Sequence, residues 1–154
     1  MKNQKQKLLL EQLDKKLSPF KNLTNIIPPN HGWVSIIRAA LRMSLRQLGK
    51  RLNISAQSAK EIEVREAEGS ITIKSLREVA NALNMKLVYG FYPYDDSIET
   101  MIEKRAYELA KEIVLRTSNT MKLEDQENSS MRIENAIKTK AEEIKNTMPQ
   151  YLWD

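Results

Sequence analysis

Gln57, Lys60 and Glu61 are the side chains whose types and spacing point to specific chemistry, and that chemistry is hydrogen bonding rather than bond-making. They lie within SLRQLGKRLNISAQSAKEIE, residues 44–63. A Gln amide can bond N6 and N7 of adenine together, and a carboxylate can accept from cytosine N4. The rest of the composition offers little for catalysis. The 154 residues include no Cys and a single His, His31. That removes thiolate nucleophiles, cysteine-ligated zinc and His-pair metal sites. The four glycines (Gly32, Gly49, Gly69, Gly90) lie too far apart to form a phosphate-cradling loop. No enzymatic activity, cofactor or metal is expected.

The elements that must position those three residues are helical. Leu48, Leu52, Ile54, Ala59 and Ile62 recur at spacings that hold two short helices against each other across an Asn53-Ile54 turn. Ser44 and Ser55 stand where each helix would be capped, and Gly49 lets the two backbones approach. This is helix-turn-helix spacing, in which the exposed start of the second helix reaches base edges in a major groove. The residues there are Ala56, Gln57, Ser58, Lys60 and Glu61. A helix is expected before the pair, from Trp33 to Arg42, with Trp33, Ile36, Ile37, Ala40 and Leu41 inward. A loop over 67–71 follows the pair, and then a Thr72-capped helix with Leu76, Val79, Ala80 and Leu83.

Outside this core, residues 3–17 read as an amphipathic helix with Leu9, Leu10, Leu13 and Leu17, ended by Ser18-Pro19. Pro28-Pro29-Asn30 marks a connector. The run from Lys86 to Pro93 is β-branched and aromatic, and reads as one strand. No second strand is evident, so its partner would be the same strand of a second copy, through Leu87, Tyr89 and Phe91. The other reading is a short extended tail packed on the helices. A long helix is expected over 96–118, with Ile98, Ile102, Tyr107, Leu109, Ile113 and Val114. A polar loop over 117–129, a last helix over 129–146 and a docked Trp153 complete the chain. The expected segments are therefore 1–30, an N-terminal helix and connector; 31–85, the DNA-binding domain; 86–93, a dimerising strand; and 94–154, a C-terminal helical region. The fold class is mainly α.

Charge is unevenly distributed. Residues 1–30 carry six Lys against Glu11 and Asp14, a balance of +4. Residues 31–93 stand at +5 and residues 94–154 at −4. A basic front joined to an acidic end suits a polyanion-binding part attached to a part with another task, although solvated helix faces also carry charge. The longest apolar runs, such as Leu8-Leu9-Leu10, fall far short of the roughly 18 residues of a membrane span. No signal-peptide core is evident, and a cytoplasmic, nucleoid-associated protein is expected.

Residues 32–85 resemble the lambda-repressor-like, XRE-type helix-turn-helix family, on Arg38, Leu48-Gly49 and the run Ser55–Glu63. The resemblance implies a structural salt bridge between Arg38 and Glu63. With the geometry above, it makes Gln57 the leading base reader, with Lys60, Glu61 and Ala56 beside it. Ser44, Arg46, Ser58 and Lys74 look like phosphate contacts. Two departures stand out: Leu45 replaces a Gln common at that place, and the stretch Val64–Gly69 looks like a longer, more acidic loop.

A closer resemblance covers nearly the whole chain. LDKKL (13–17), PPNHGWVSIIR (28–38), MSLRQL (43–48), EAEGSITIKSL (66–76), LVYGFYP (87–93), MKLEDQ (121–126) and YLWD (151–154) are similar to the family called mobile mystery protein A. Its members are XRE-type regulators typically encoded beside a Fic-domain protein, in an arrangement like a toxin–antitoxin pair. The resemblance implies a homodimeric repressor and antitoxin that binds an inverted repeat in its own operon and has a Fic-domain toxin as partner. It also draws attention to Ser130, Glu134 and Asn135, which fit the Ser-x-x-x-Glu-Asn pattern of Fic-inhibiting helices, with Thr120–Asp125 a near match. The alternative function is direct inhibition of the toxin by the C-terminal helices, with DNA binding secondary. Against the pattern, Glu134 also reads as an ordinary exposed helix carboxylate.

Overall fold

The computed structural model describes residues 2–121 and 129–154, and these are mainly helical. In chain order the helices are α1 (Lys2–Leu17), α2 (Trp33–Ala40), α3 (Leu45–Leu52), α4 (Ala56–Glu68), α5 (Ile73–Ala82), α6 (Ile98–Met121) and α7 (Ser129–Thr147). Tighter 3₁₀ turns cover Ser18–Asn25 and Gln150–Trp153. The chain divides into two compact units, one of residues 24–90 and one of residues 1–23 with 91–154. The expected N-terminal and C-terminal segments thus belong to a single unit. Sequence order concealed this, because α1 is joined to α6 by contacts between residues more than eighty positions apart.

The 24–90 unit holds α2 to α5 around Val34, Leu48, Ala59, Val79 and Leu83. Each of α3, α4 and α5 begins at a hydroxyl cap, at Ser44, Ser55 and Thr72, as read from the sequence. The Ser44 cap is reciprocal: its hydroxyl accepts from Gln47 N at 3.1 Å, and the Gln47 amide oxygen accepts from Ser44 N at 2.8 Å. Two expectations need correction. The helix α4 continues through Val64 to Glu68 and ends at Gly69, so the loop expected after Glu63 is helical. The stretch Val64–Glu68 contains no helix breaker, and Gly69 at φ 80 supplies the left-handed cap. In α2 the inward residues are Val34 and Ile37, whereas Trp33, Ile36, Ala40 and Leu41 are exposed. Spacing places the apolar residues of WVSIIRAA opposite Ser35 and Arg38, but the buried face is turned toward Arg38, whose guanidinium pairs inward with Glu63.

No strand forms among the described residues, and the 86–93 segment is without regular structure. A strand needs a ladder partner, and nothing described in the chain offers one. Tyr89 instead accepts a hydrogen bond from Arg77 Nη2 at 3.1 Å, with the guanidinium carbon 5.8 Å from the ring centroid. Leu87 is half-buried, Tyr89 half-exposed and Phe91 almost fully exposed.

In the other unit, α6 and α7 pack through Ile102, Ala106, Ala110, Ile137 and Ile144, with Leu152 fully buried against them. Lys145 near the end of α7 pairs with Glu99 and Glu103 near the start of α6, so the two helices run antiparallel. The Glu103 hydrogen bond holds the Lys145 ammonium above the usual lysine range. Asp14 of α1 accepts from Ile98 N at 2.7 Å and caps α6 from outside that helix. Tyr107, expected inside, is on the outer face of α6, since Ala106 and Ala110 take the contact line. The C-terminal residue that docks is Leu152, whose carbonyl accepts from Arg105 Nε at 2.6 Å, while Trp153 stays half-exposed. The loop expected over 117–129 gives way to helix as far as Met121. Residues 122–128, with most of the Thr120–Asp125 pattern, lie outside the described residues.

Candidate nucleic-acid interface

Gly49 decides how closely α4 sits on α3. A Cβ added there would lie 2.7 Å from Ile54 O and 3.0 Å from Ser55 O, so only glycine admits this approach. Asn53 closes α3 in the left-handed region at φ 58, which asparagine tolerates, and Ile54 N donates to Gly49 O at 2.8 Å. The chain thus turns within three residues and starts α4 at Ser55, whose hydroxyl accepts from Ser58 N at 3.0 Å.

Two carboxylates on the inner side of α4 lock it to α2. Glu63 is buried, 2% exposed, and its carboxylate pairs with Arg38 through Nε and through Nη2, the latter at 3.3 Å. Arg38 Nη1 also donates to Met43 O at 2.8 Å, so one guanidinium joins α2, the α2–α3 turn and α4. This is the pair that Arg38 and Glu63 were expected to form. Lys60 Nζ lies 3.9 Å from Glu63 Oε2 as a second, weaker counter-charge. One turn on, Glu66 accepts from Trp33 N at 3.1 Å and Val34 N at 2.8 Å, capping α2 from a distance. Gly32 precedes α2 at φ 82, and a Cβ there would meet Glu66 Oε1 at 2.5 Å. Sequence reasoning passed over Glu66 and Gly32. A usable signal was present: a helix beginning at Trp33 has no hydroxyl or Asx cap immediately before it, so its first N–H groups need a remote acceptor.

With the inner face committed, the outer face of α4 presents Gln57, Lys60, Glu61 and the small Ala56, all exposed. The first three lie within about one and a half turns on one side. Among the expected phosphate contacts, Arg46 and Lys74 are exposed in the first turns of α3 and α5. Ser44 and Ser58 are engaged locally. Ser44 caps α3, and the Ser58 hydroxyl accepts from Ser55 Oγ at 3.0 Å, leaving its own O–H to donate outward. The unit carries ten Lys/Arg against five Glu, a net positive charge that favours polyanions. These groups can bond base edges and phosphates. They include no nucleophile–base pair, and among the described residues no cluster of three or more His, Cys, Asp or Glu could hold a metal ion.

The Ser130, Glu134 and Asn135 trio lies in the other unit, on the first turns of α7, with all three side chains exposed. Glu134 makes a solvent-facing i,i+4 pair with Lys138 at 3.7 Å. Among the described residues no helix is long and apolar enough to cross a membrane. Comparisons with family models, curated proteins and solved structures return no match for this chain.

Proposed function

We propose that the chain is a sequence-specific DNA-binding repressor that uses α3–turn–α4 as a helix-turn-helix of the lambda-repressor type. The observation that carries this reading is the division of α4 into two faces. The inner face is locked by Glu63 and Glu66, and the outer face offers Gln57, Lys60 and Glu61 unburied. A rigid helix with adaptable polar groups at its start is what major-groove readout requires. The working form is a homodimer on an inverted repeat, its copies joined through the 86–93 segment, whose Tyr89 and Phe91 are exposed. The resemblance to mobile mystery protein A regulators makes the target the chain's own operon, and a co-encoded Fic-domain toxin its partner.

The test is binding of the purified chain to duplexes selected from a randomised library, against scrambled duplexes, over a range of salt. Selective binding is expected, with log K falling by about 0.9 per neutralised phosphate for each unit of log salt. Gln57→Ala should relax sequence choice at one base pair per half-site, while Arg46→Ala should weaken all duplexes alike. Equal losses by both variants on selected and scrambled DNA would overturn the assignment of Gln57 as base reader.

A further inference from the structure

The outer face of α4 carries one large apolar side chain that the reading above leaves unused. Val64 is 42% exposed and belongs to the same face as Gln57, Lys60 and Glu61, one turn beyond the latter two. Its neighbours on the inner face, Glu63 and Ile62, are buried and half-buried. A β-branched residue is a weaker helix former than alanine, and here two-fifths of its surface stays open to solvent. Its position suits a contact made outside the chain. The major groove indicates which contact: the apolar group that base edges offer there is the C5-methyl of a pyrimidine.

We infer that Val64 is a specificity-determining residue whose side chain packs on a pyrimidine C5-methyl group. The inference rests on the proposed groove-reading role of α4. It also bounds a distance. The seven residue steps from Gln57 to Val64 span about 10.5 Å, and a helix lying along the groove crosses at most about three base pairs over that length. The methyl-bearing base should therefore lie within about three base pairs of the pair whose preference Gln57→Ala abolishes. Thymine and 5-methylcytosine both present this group.

The experiment uses the full chain and its selected duplex, replacing each thymine in turn with uracil, with cytosine and with 5-methylcytosine. Uracil at one position per half-site should weaken binding about fourfold, the size of one buried methyl group. Val64→Ala should bind the thymine and uracil duplexes alike, while keeping the wild-type salt dependence and circular dichroism. If 5-methylcytosine at the same position strengthens binding relative to cytosine, Val64 reads the methyl on either base; if it does not, Val64 reads thymine. Both results uphold the contact. Selective binding in which every uracil substitution costs wild type and Val64→Ala equally overturns the Val64 role and leaves the groove-reading role standing. Failure to select any sequence overturns both.

Discussion

Removing the Arg38 guanidinium should cost the 24–90 unit a large share of its stability. Glu63 is 2% exposed, and its carboxylate is held by two nitrogens of Arg38. In Arg38→Ala the cation left within reach among the described residues is Lys60, 3.9 Å away and itself half-exposed. Met43 O would also lose its donor. Leaving a buried carboxylate without its partner costs about 3–5 kcal/mol. A unit of this size is stable by only about 3–10 kcal/mol, at about 0.05–0.15 kcal/mol per residue. Urea titration followed by tryptophan fluorescence can isolate the unit, because Trp33 lies in it and Trp153 in the other. In a Trp153→Phe background the midpoint should fall by about 1.5 M or more, for a slope of about 1–2 kcal/mol per molar. The double variant Arg38→Met/Glu63→Leu should recover most of that fall, since apolar pairs replace buried ion pairs at little cost. A fall under about 0.5 M in Arg38→Ala would place the pair among exposed ion pairs and refute the reasoning.

Three further perturbations test the scaffold around α4 and α6. Gly49→Ala forces a Cβ to within 2.7 Å of Ile54 O, so it should destabilise despite alanine's better helix propensity, by about 1–3 kcal/mol. An unchanged or raised urea midpoint would mean the turn yields freely. Glu66→Ala removes the acceptor from the N–H groups of Trp33 and Val34, at about 1–2 kcal/mol. Hydrogen exchange at those two amides should accelerate, and unaltered protection would dismiss the remote cap. Asp14→Ala frees α1 from the start of α6, so trypsin should cut at Lys15 and Lys16 about tenfold faster than in wild type. Equal cleavage rates would show that Leu10 and its neighbours alone hold α1 in place.

How much of this was legible depended on how local each signal was. The caps at Ser44, Ser55 and Thr72 were readable because a hydroxyl three residues before its amide is a short-range bond. Gly49 was readable because the flanking apolar residues required two helices to cross where it stands. The Arg38–Glu63 pair came from the resemblance, since no local pattern joins residues 25 apart. The Glu66 cap had no such guide. The buried face of α2 was misread because Arg38, polar by type, turns inward to Glu63, and Leu152 was overlooked because the larger Trp153 beside it attracted the assignment.

By itself the sequence determined the helical character of the chain, the places where α3, α4 and α5 begin, and the polar groups that α4 offers. Each depends on hydrogen bonds and rotamer preferences within a few residues, which composition and spacing encode directly. Only the tertiary structure decided that α1 belongs with α6 and α7, that one guanidinium secures α4 through Glu63, and that Val64 is left outward after Glu63 and Glu66 are taken inward. Those outcomes turn on contacts between distant segments. There, burial of apolar surface and the cost of an unpaired charge select one arrangement from several that local preference leaves equal.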